Sequence, residues 1–431
     1  DWSSDVCSSD LVALVVDRKG VIRDVSFGSD ELAQLVNGSW VGQPWSDTVT
    51  VESRPDHRHP CPTCGAPCPG YDTLRRSWRH LDTCQFKTFL VADVPRVSCK
   101  EHGVQQILLP WAEPKSGFTA LFEAMVIDWL KEANISAVAR LTRLTWDQVY
   151  GVMRRAVKRG LERRPVVATD RAAIDETSVL KRHEYVTVVT DITTGHVLFV
   201  SDGKGRESLD EFWAWLGPER IACLKAIALD MSAPYMASIR ANVPSADSLM
   251  CFDRFHVAKI LNDAVNTVRK QEHRALMSDG DESLKGAKHL LLENPENMTR
   301  ERRLRFREIQ ASSLKSARAW AIKDAARWLW GYVSRTWAEK GWKAWIGWAQ
   351  RSQLEPMKRA ARTVKQHLGG ILNAVLLRVT NAISESTNAK IQRIKNRACG
   401  YRNRARFHDA IYFHLGGLDL YPRPEGAHTT S

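Results

Sequence analysis

The chain has 431 residues, too many for one compact core and enough for two to four domains. Its 62 Lys+Arg against 49 Asp+Glu leave a formal charge of +13, an excess that needs a counter-charge, most commonly nucleic acid. No stretch approaches the roughly 18 apolar residues of a spanning helix, and no signal peptide is evident, so no membrane partner is expected. Five of the nine cysteines, Cys61, Cys64, Cys68, Cys84 and Cys99, crowd one region. An odd, clustered set points to a metal site in a reducing compartment rather than a disulfide framework.

Residues 1-11, DWSSDVCSSDL, lack any amphipathic period and look like a string that adapter read-through leaves at the head of assembled sequences; they are set aside as an artefact. Residues 12-55 read as a strand, an Asp-Arg-Lys-Gly turn, a second strand and a short helix. LVALVVDRKGVIRDVSFGSDELAQLVNG resembles the opening of a PAS sensor domain, especially those of bacterial repressors of photosynthesis genes. It amounts to a truncated fragment with a junction near Pro55; the alternative is an ordinary N-terminal α/β extension.

Residues 56-110 carry two metal knuckles. Cys61 and Cys64 stand two residues apart before a glycine, and Cys99 and His102 repeat the spacing and the glycine roughly 35 residues later. Cys3His suits one structural Zn2+, with Cys68, Cys84 and His80 as alternative ligands. From 115 to 165, helical periods over 119-132, 135-141 and 145-155, with a turn at 142-144, have helix-turn-helix spacing. Thr145 is placed to cap the last helix; Trp146, Gln148 and Arg154 would face a major groove while Val149, Val152 and Met153 pack inward. Three ordinary helices without DNA contact are the alternative.

The period then changes to that of strands over 168-179, 184-203 and 221-231, with a helix at 208-217. Three strands, a helix and a fourth strand is the order of an RNase H-like mixed sheet. It sets Asp175 in the middle of the first strand and Asp230 at the end of the fourth, side by side. Paired carboxylates suit phosphodiester transfer because two divalent cations, Mg2+ or Mn2+, need shared oxygen ligands. Glu385, on a later helix, is the candidate third acid, and Asn388 one turn on shares its face.

ALDMSAPYMASIRANVPSADSLMCFDRFHVAKILNDAVNTVRK, TNAISESTNAKIQRIKNRACGYRN and the cysteine-bearing segment CPTCG through CKEHG resemble the ISL-three family of insertion-sequence transposases, over roughly residues 56 to 420. The resemblance implies a DDE triad at Asp175, Asp230 and Glu385. It also implies an accessory Asp253-Arg254-Phe255-His256 motif on the next strand, with Asp253 the rival to Asp230 as metal ligand. It implies a bacterial, cytoplasmic, nucleoid-associated enzyme that cuts and joins DNA at terminal inverted repeats, as a dimer or larger.

Residues 166-420 would then be the catalytic domain, with a helical insertion at about 260-375 and a disordered tail at 421-431. The insertion is rich in tryptophan: Trp320, Trp328, Trp330, Trp337, Trp342, Trp345 and Trp348 either pack its helices or stack on unpaired bases. Lys390, Arg393, Lys395, Arg397, Arg402, Arg404 and Arg406 would contact phosphates beside the site. A DNA-binding repressor without catalysis, an inactive transposase copy, and a structure-specific nuclease or resolvase are the rival functions; the first leaves the three acids unexplained.

Overall fold

The computed structural model describes residues 59–82, 87–165, 169–180, 184–312, 314–379 and 382–423, together with the backbone of five short strands before residue 52. Those strands are β1 (Ala13–Val16) and β2 (Ile22–Ser26), paired antiparallel; β3 (Gln34–Val36) and β4 (Ser39–Val41), also paired; and β5 (Ser46–Val51). The paired β1 and β2 match the expected strand-turn-strand. The short helix expected after them does not appear at 34–36, where the backbone pairs with β4 instead. Residues 1-11, set aside in the sequence reading, lie outside the described residues. Among the described residues, no helix is long and apolar enough to cross a membrane.

The chain divides into two compact units, residues 1–164 with 418–431, and residues 165–417. In the first unit, β6 (Gly70–Arg79), the long β7 (Lys87–Cys99) and β8 (Gly103–Gln106) form an antiparallel sheet that β5 joins in parallel. Trp78, Ala92, Val94 and Leu109 fill its apolar side, with Trp111 edge-on to Trp78 at 5.6 Å. Three helices follow, α1 (Ala120–Glu132), α2 (Ile135–Thr142) and α3 (Trp146–Arg163), started by Thr119, Asn134 and Thr145 side chains that accept from backbone N–H groups. Arg143 ends α2 at φ +56°, the left-handed turn that aims α3 away.

Beneath these helices lies a charge network that no local pattern announces. Glu123 of α1 is 1% exposed and accepts from Arg155 (2.9 Å), Arg159 (3.0 Å) and Ser116 (2.8 Å). Arg159 also donates to Glu113 (2.7 Å) and to the Leu420 carbonyl. Residues 418–423 thus return to α1 and α3. Leu418 packs on Gly160, where an added Cβ would lie 2.6 Å from it, and Tyr421 bonds Lys131 and Asp128. Tyr421 to Arg423, expected in a disordered tail, belong instead to this docked strap.

The second unit is built on a five-stranded mixed sheet in the order β11-β10-β9-β12-β13. β9 (Arg171–Leu180), β10 (Glu184–Asp191) and β11 (Val197–Asp202) are antiparallel; β12 (Ala226–Leu229) and β13 (Met250–Phe252) are parallel to β9 and to one another. Crossovers of α4 (Arg206–Leu216) with α5 (Pro218–Ile221), and of α6 (Ala233–Asn242) with α7 (Ala246–Leu249), allow the parallel pairing. Alternation along the strands sorts the faces. Ile174, Ile227 and Leu229 join α4 and α6 in one core; Ala173, Ala226, Ala228 and Cys251 face the other way, toward α14 (Leu368–Leu377). Small side chains on that second face permit close approach. On the first face, Gly370 of α14 lies so near Phe252 that an added Cβ would stand 2.4 Å from its ring.

Between β13 and α14 run α8 (Arg254–Ser278), α9 (Lys288–Leu292), α10 (Arg300–Ala311), α11 (Lys315–Trp328), α12 (Arg335–Arg351) and α13 (Glu355–Gln366), and their core is continuous with that of the sheet's first face. Trp320, Trp342 and Trp345 are buried there as packing residues, Trp330 is half-buried, and Trp328, Trp337 and Trp348 are exposed. Two last helices, α15 (Ala382–Arg397) and α16 (Arg404–Leu415), close over β9, β10 and β11 through Ile391, Phe407 and Ile411.

Candidate active site

The four residues of the two knuckles come together: one ligand atom from each of Cys61, Cys64, Cys99 and His102 lies within 4.8 Å of all the others. Cys64 Sγ and Cys99 Sγ are 3.8 Å apart, and Cys99 Sγ is 3.5 Å from His102 Nδ1. The trailing glycines make the geometry possible, Gly65 at φ +72° and Gly103 at φ +68°, where a side chain would be strained. The His102 ring beside it pulls the Cys99 thiol down to about 6, toward the thiolate a metal requires. Of the alternatives, Cys68 bonds the Ala66 carbonyl, His80 bonds Thr119 at the start of α1, and Cys84 lies outside the described residues.

In the second unit the strand register brings acids together. Ala228 pairs with Ala173 in the parallel β12–β9 ladder, so two residues further along Asp230 falls beside Asp175. Leu229 pairs with Phe252, so one residue further Asp253 falls on the other side of Asp230. All three point to the small-residue face, since they are two residues on from Ala173, Ala228 and Cys251. Asp253 is not on a strand, as the motif suggested. It caps α8, accepting from Phe255 N (3.2 Å), and Arg254, Phe255 and His256 form the helix's first turn. His256 Nδ1 lies 3.5 Å from Asp253 Oδ2, and that contact raises the imidazole above its ordinary value.

Asp175 is held by two donors, the Glu176 backbone N–H (2.8 Å) and Asn388 Nδ2 (2.9 Å). Burial still pushes its carboxyl up to about 6, and the Asp230 charge adds to the rise against the opposing pull of His256. Glu176, unnoticed in the sequence, is raised too, by burial and then by Asp230. This is an excess of buried negative charge with too little protein countercharge. Such a site suits a cation.

Helix α15 runs along β9, with Asn388 on Asp175, Gln392 on Thr177 (2.9 Å) and Lys395 on the Ser178 carbonyl (3.1 Å). Glu385 stands one turn before Asn388, exposed, and lines a cleft with Asp253. Among the described residues, the Cys3His set is the group of three or more ligand atoms that lie within 4.8 Å of one another; the carboxylates of Asp175, Asp230 and Glu385 are not so gathered. Lys395 is tied to β9, whereas Lys390, Arg393, Arg397 and Arg402 have exposed side chains. Arg404 pairs with Glu184 (3.4 Å) and Asp202 (3.6 Å). In the helix-turn-helix, Arg154 is exposed and Trp146 stacks on Tyr150 at 5.5 Å. Gln148 Oε1 accepts from Thr145 N (2.8 Å) to complete a capping box, so only its amide N–H donors remain outward.

A Cys/His metal set, three helices with helix-turn-helix spacing and a mixed sheet bearing adjacent acids, carried in one chain, fit a transposase of the DDE class. A family model described as a transposase matches residues 172–411; others match 108–157, the helix-turn-helix domain of transposase family ISL3, and 57–102, the zinc-finger of transposase IS204/IS1001/IS1096/IS1165. The chain belongs to transposase family ISL3. It is 29% identical over 422 residues to the transposase for insertion sequence element IS1557 of Mycobacterium tuberculosis, covering 90% of this chain and 91% of that one. It is also 28% identical over 352 residues to the transposase for insertion sequence element IS1001 of Bordetella parapertussis, covering 80% and 86%.

Proposed function

We propose that the second unit is an RNase H-like nuclease core that cuts DNA at the terminal inverted repeats of its own element and joins the freed ends to target DNA. Support comes first from the register that sets Asp230 beside Asp175, and from the strand order β11-β10-β9-β12-β13 that goes with it. Asp175, Asp230 and Glu385 would hold two Mg2+ or Mn2+ ions, which supply Lewis-acid stabilisation of the attacking and leaving oxygens. The raised carboxyl of Asp175 beside the Asp230 charge fits that donor set, because cations relieve a repulsion the protein leaves standing. Glu385 is exposed on its helix, one turn before the Asn388 that bonds Asp175.

The chain's own residues then have distinct tasks. Asn388 fixes one oxygen of Asp175, and Gln392 and Lys395 clamp α15 to β9 so that Glu385 stays in reach. Asp253 and His256 hold the start of α8 beside the acids. Lys390, Arg393, Arg397 and Arg402 would take the phosphates flanking the cut. Hydrolysis breaks the bond between the phosphorus and the 3′ oxygen of the element end. The resulting 3′-hydroxyl then attacks a target phosphate, whose own 3′ oxygen leaves, and no covalent protein intermediate is needed. The ribbon, with one structural Zn2+, and the helix-turn-helix would read the repeats. Two ends brought together imply at least a homodimer.

The test is nicking of a labelled duplex carrying the repeats that flank the gene, in Mg2+ or Mn2+ and in EDTA. Metal-dependent cuts at the repeat boundary, lost in Glu385→Gln with end binding retained, are expected. Binding without cutting under every metal condition would overturn the assignment in favour of a repressor or an inactive copy.

A further inference from the structure

In the second unit, the twelve residues of α10, RERRLRFREIQA, carry five arginines against two glutamates. Phe306 and Ile309 turn inward, Phe306 edge-on to Trp320 at 4.8 Å, and they fix which way the helix faces. Arg300, Arg303 and Arg307, three and then four residues apart, form one stripe on the outward side, and all three are exposed. Glu301 and Glu308 share a separate stripe, roughly a third of a turn around the helix. Charge is thus sorted by sign on this helix, with the cations along one line.

The chain supplies this line with little countercharge. Arg302, on the covered side of α10, is paired with Glu293 at 2.5 Å, and Arg303 donates to the Pro295 carbonyl at 3.1 Å. Among the described residues, Arg300 and Arg307 have neither a hydrogen bond nor an ion pair. Like charges one turn apart repel, so the stripe weakens the helix unless a counter-charge comes from outside the chain. Its place in the fold narrows what that partner is. Glu293, which holds Arg302, stands between Leu292 and Asn294, and both of these line the cleft that Asp253 and Glu385 share. The stripe therefore starts at the rim of the candidate active site.

We infer that the outward face of α10 holds the target duplex by its phosphates while a cut element end is joined to it. This rests on the joining reaction proposed above. Joining brings a second duplex to the acids, one whose sequence is not that of the repeats. The ribbon and the helix-turn-helix are given to the repeats, and Lys390, Arg393, Arg397 and Arg402 to the phosphates that flank the cut, so the target needs a surface of its own. Guanidinium groups suit it, because they bind phosphate oxygens whatever the base sequence. Arg300 to Arg307 spans about 10 Å at 1.5 Å per residue, or about three base-pair steps, so a strand laid along the helix meets the stripe at successive phosphates. Counterions released from the duplex on contact supply the affinity that the unpaired arginines lack partners for within the chain.

The test uses the full chain in Mg2+ with repeat ends already cut to expose their 3′-hydroxyl, and follows their joining into a plasmid that carries no repeats. The variant Arg300→Gln with Arg307→Gln is compared with wild type; both positions are exposed, and Gln is as good a helix former as Arg. Joining at sub-saturating plasmid is expected to fall about ten-fold. For binding to a repeat-free duplex, the slope of log affinity against log salt should shrink by about 2, since each lost phosphate contact removes about 0.9. Arg300→Lys with Arg307→Lys keeps both charges and should restore most of each effect. Binding and cutting of the repeat duplex should stay at wild-type levels. Joining and salt slope equal to wild type in the Gln variant overturn the inference and leave the transposase function standing. An equal loss in repeat binding or cutting overturns it as well, because α10 would then hold the element's own end. If wild type joins none of the cut ends, the joining reaction fails, and its target surface with it.

Discussion

Replacing Asp175 by Asn should make the metal-free protein more stable while abolishing cutting. In the folded chain the Asp175 carboxyl is raised from an ordinary 3.8 to about 6, chiefly by burial and secondarily by the neighbouring Asp230 charge. Two pH units at about 1.36 kcal/mol each amount to about 3 kcal/mol of destabilisation when the group is ionised. The sign follows from linkage. A raised carboxyl contributes stability that is fully present below its unfolded value near 3.8 and is lost as pH rises through about 6, so the whole penalty is in force at pH 7.5. Asn removes the charge and keeps an oxygen for either the Glu176 N–H or Asn388 Nδ2, but not for both. Loss of one hydrogen bond returns about 1 kcal/mol. The net gain is about 2 kcal/mol, or about 4–8 °C in Tm for a unit of this size.

The assay is thermal unfolding in EDTA between pH 4 and pH 7.5, wild type against variant. The gap should be widest at pH 7.5 and should close as pH falls from about 6 to about 4. About 10 mM Mg2+ should raise the wild-type Tm and leave the variant's little changed, because an ion stabilises only the state that binds it. A variant that is no more stable than wild type in EDTA at pH 7.5, or a gap that does not narrow in acid, would refute the reasoning: the acids would then not be a destabilised pair awaiting cations.

Three further outcomes follow from the first unit. Cys99→Ser should lower bound zinc from one equivalent per chain to well below that by elemental analysis, and unfold β7 and β8 in a proteolysis assay, since a structural zinc site contributes folding energy directly. Gln148→Ala should cost about 0.5–2 kcal/mol in chemical denaturation by losing half of a capping box, with the base preference of end binding unchanged; Arg154→Ala, by contrast, should weaken end binding without altering stability. Glu123→Ala should cost about 1–3 kcal/mol by urea unfolding, because it removes the buried acceptor shared by Ser116, Arg155 and Arg159 while Arg159 keeps Glu113, whereas Glu123→Gln should lose less.

What could be read from the sequence was what is encoded locally. A Cys-x-x-Cys-Gly knuckle declares itself within five residues, and Cys99-x-x-His102-Gly repeats its spacing with one ligand exchanged. The order of strands and helix placed Asp175 in the first strand and Asp230 at the end of the fourth as neighbours, and the parallel β12–β9 register sets them side by side. Two features were obscured because one residue type serves two physical ends. Gln148 at the start of a recognition helix suits a base edge and suits the third position of a helix equally well, and here its oxygen closes the cap. Asp253 suits a metal ligand and a helix cap, and the chain leaves the strand one residue before it. Other features could not have been read at all, because their partners lie far apart in sequence: Glu123 with Arg159, Leu418 with Gly160, and Asn262 with Glu385 around one cleft. The tryptophans show where that boundary falls. Composition alone offered packing or stacking for all seven of the insertion, and burial assigns Trp320, Trp342 and Trp345 to packing while leaving Trp330 on the wall of the cleft beside Glu385. A side chain's chemistry is written in the sequence, but its task is decided by whatever the fold sets against it, and at this site the fold sets the buried Asp175 carboxylate against the Asp230 charge.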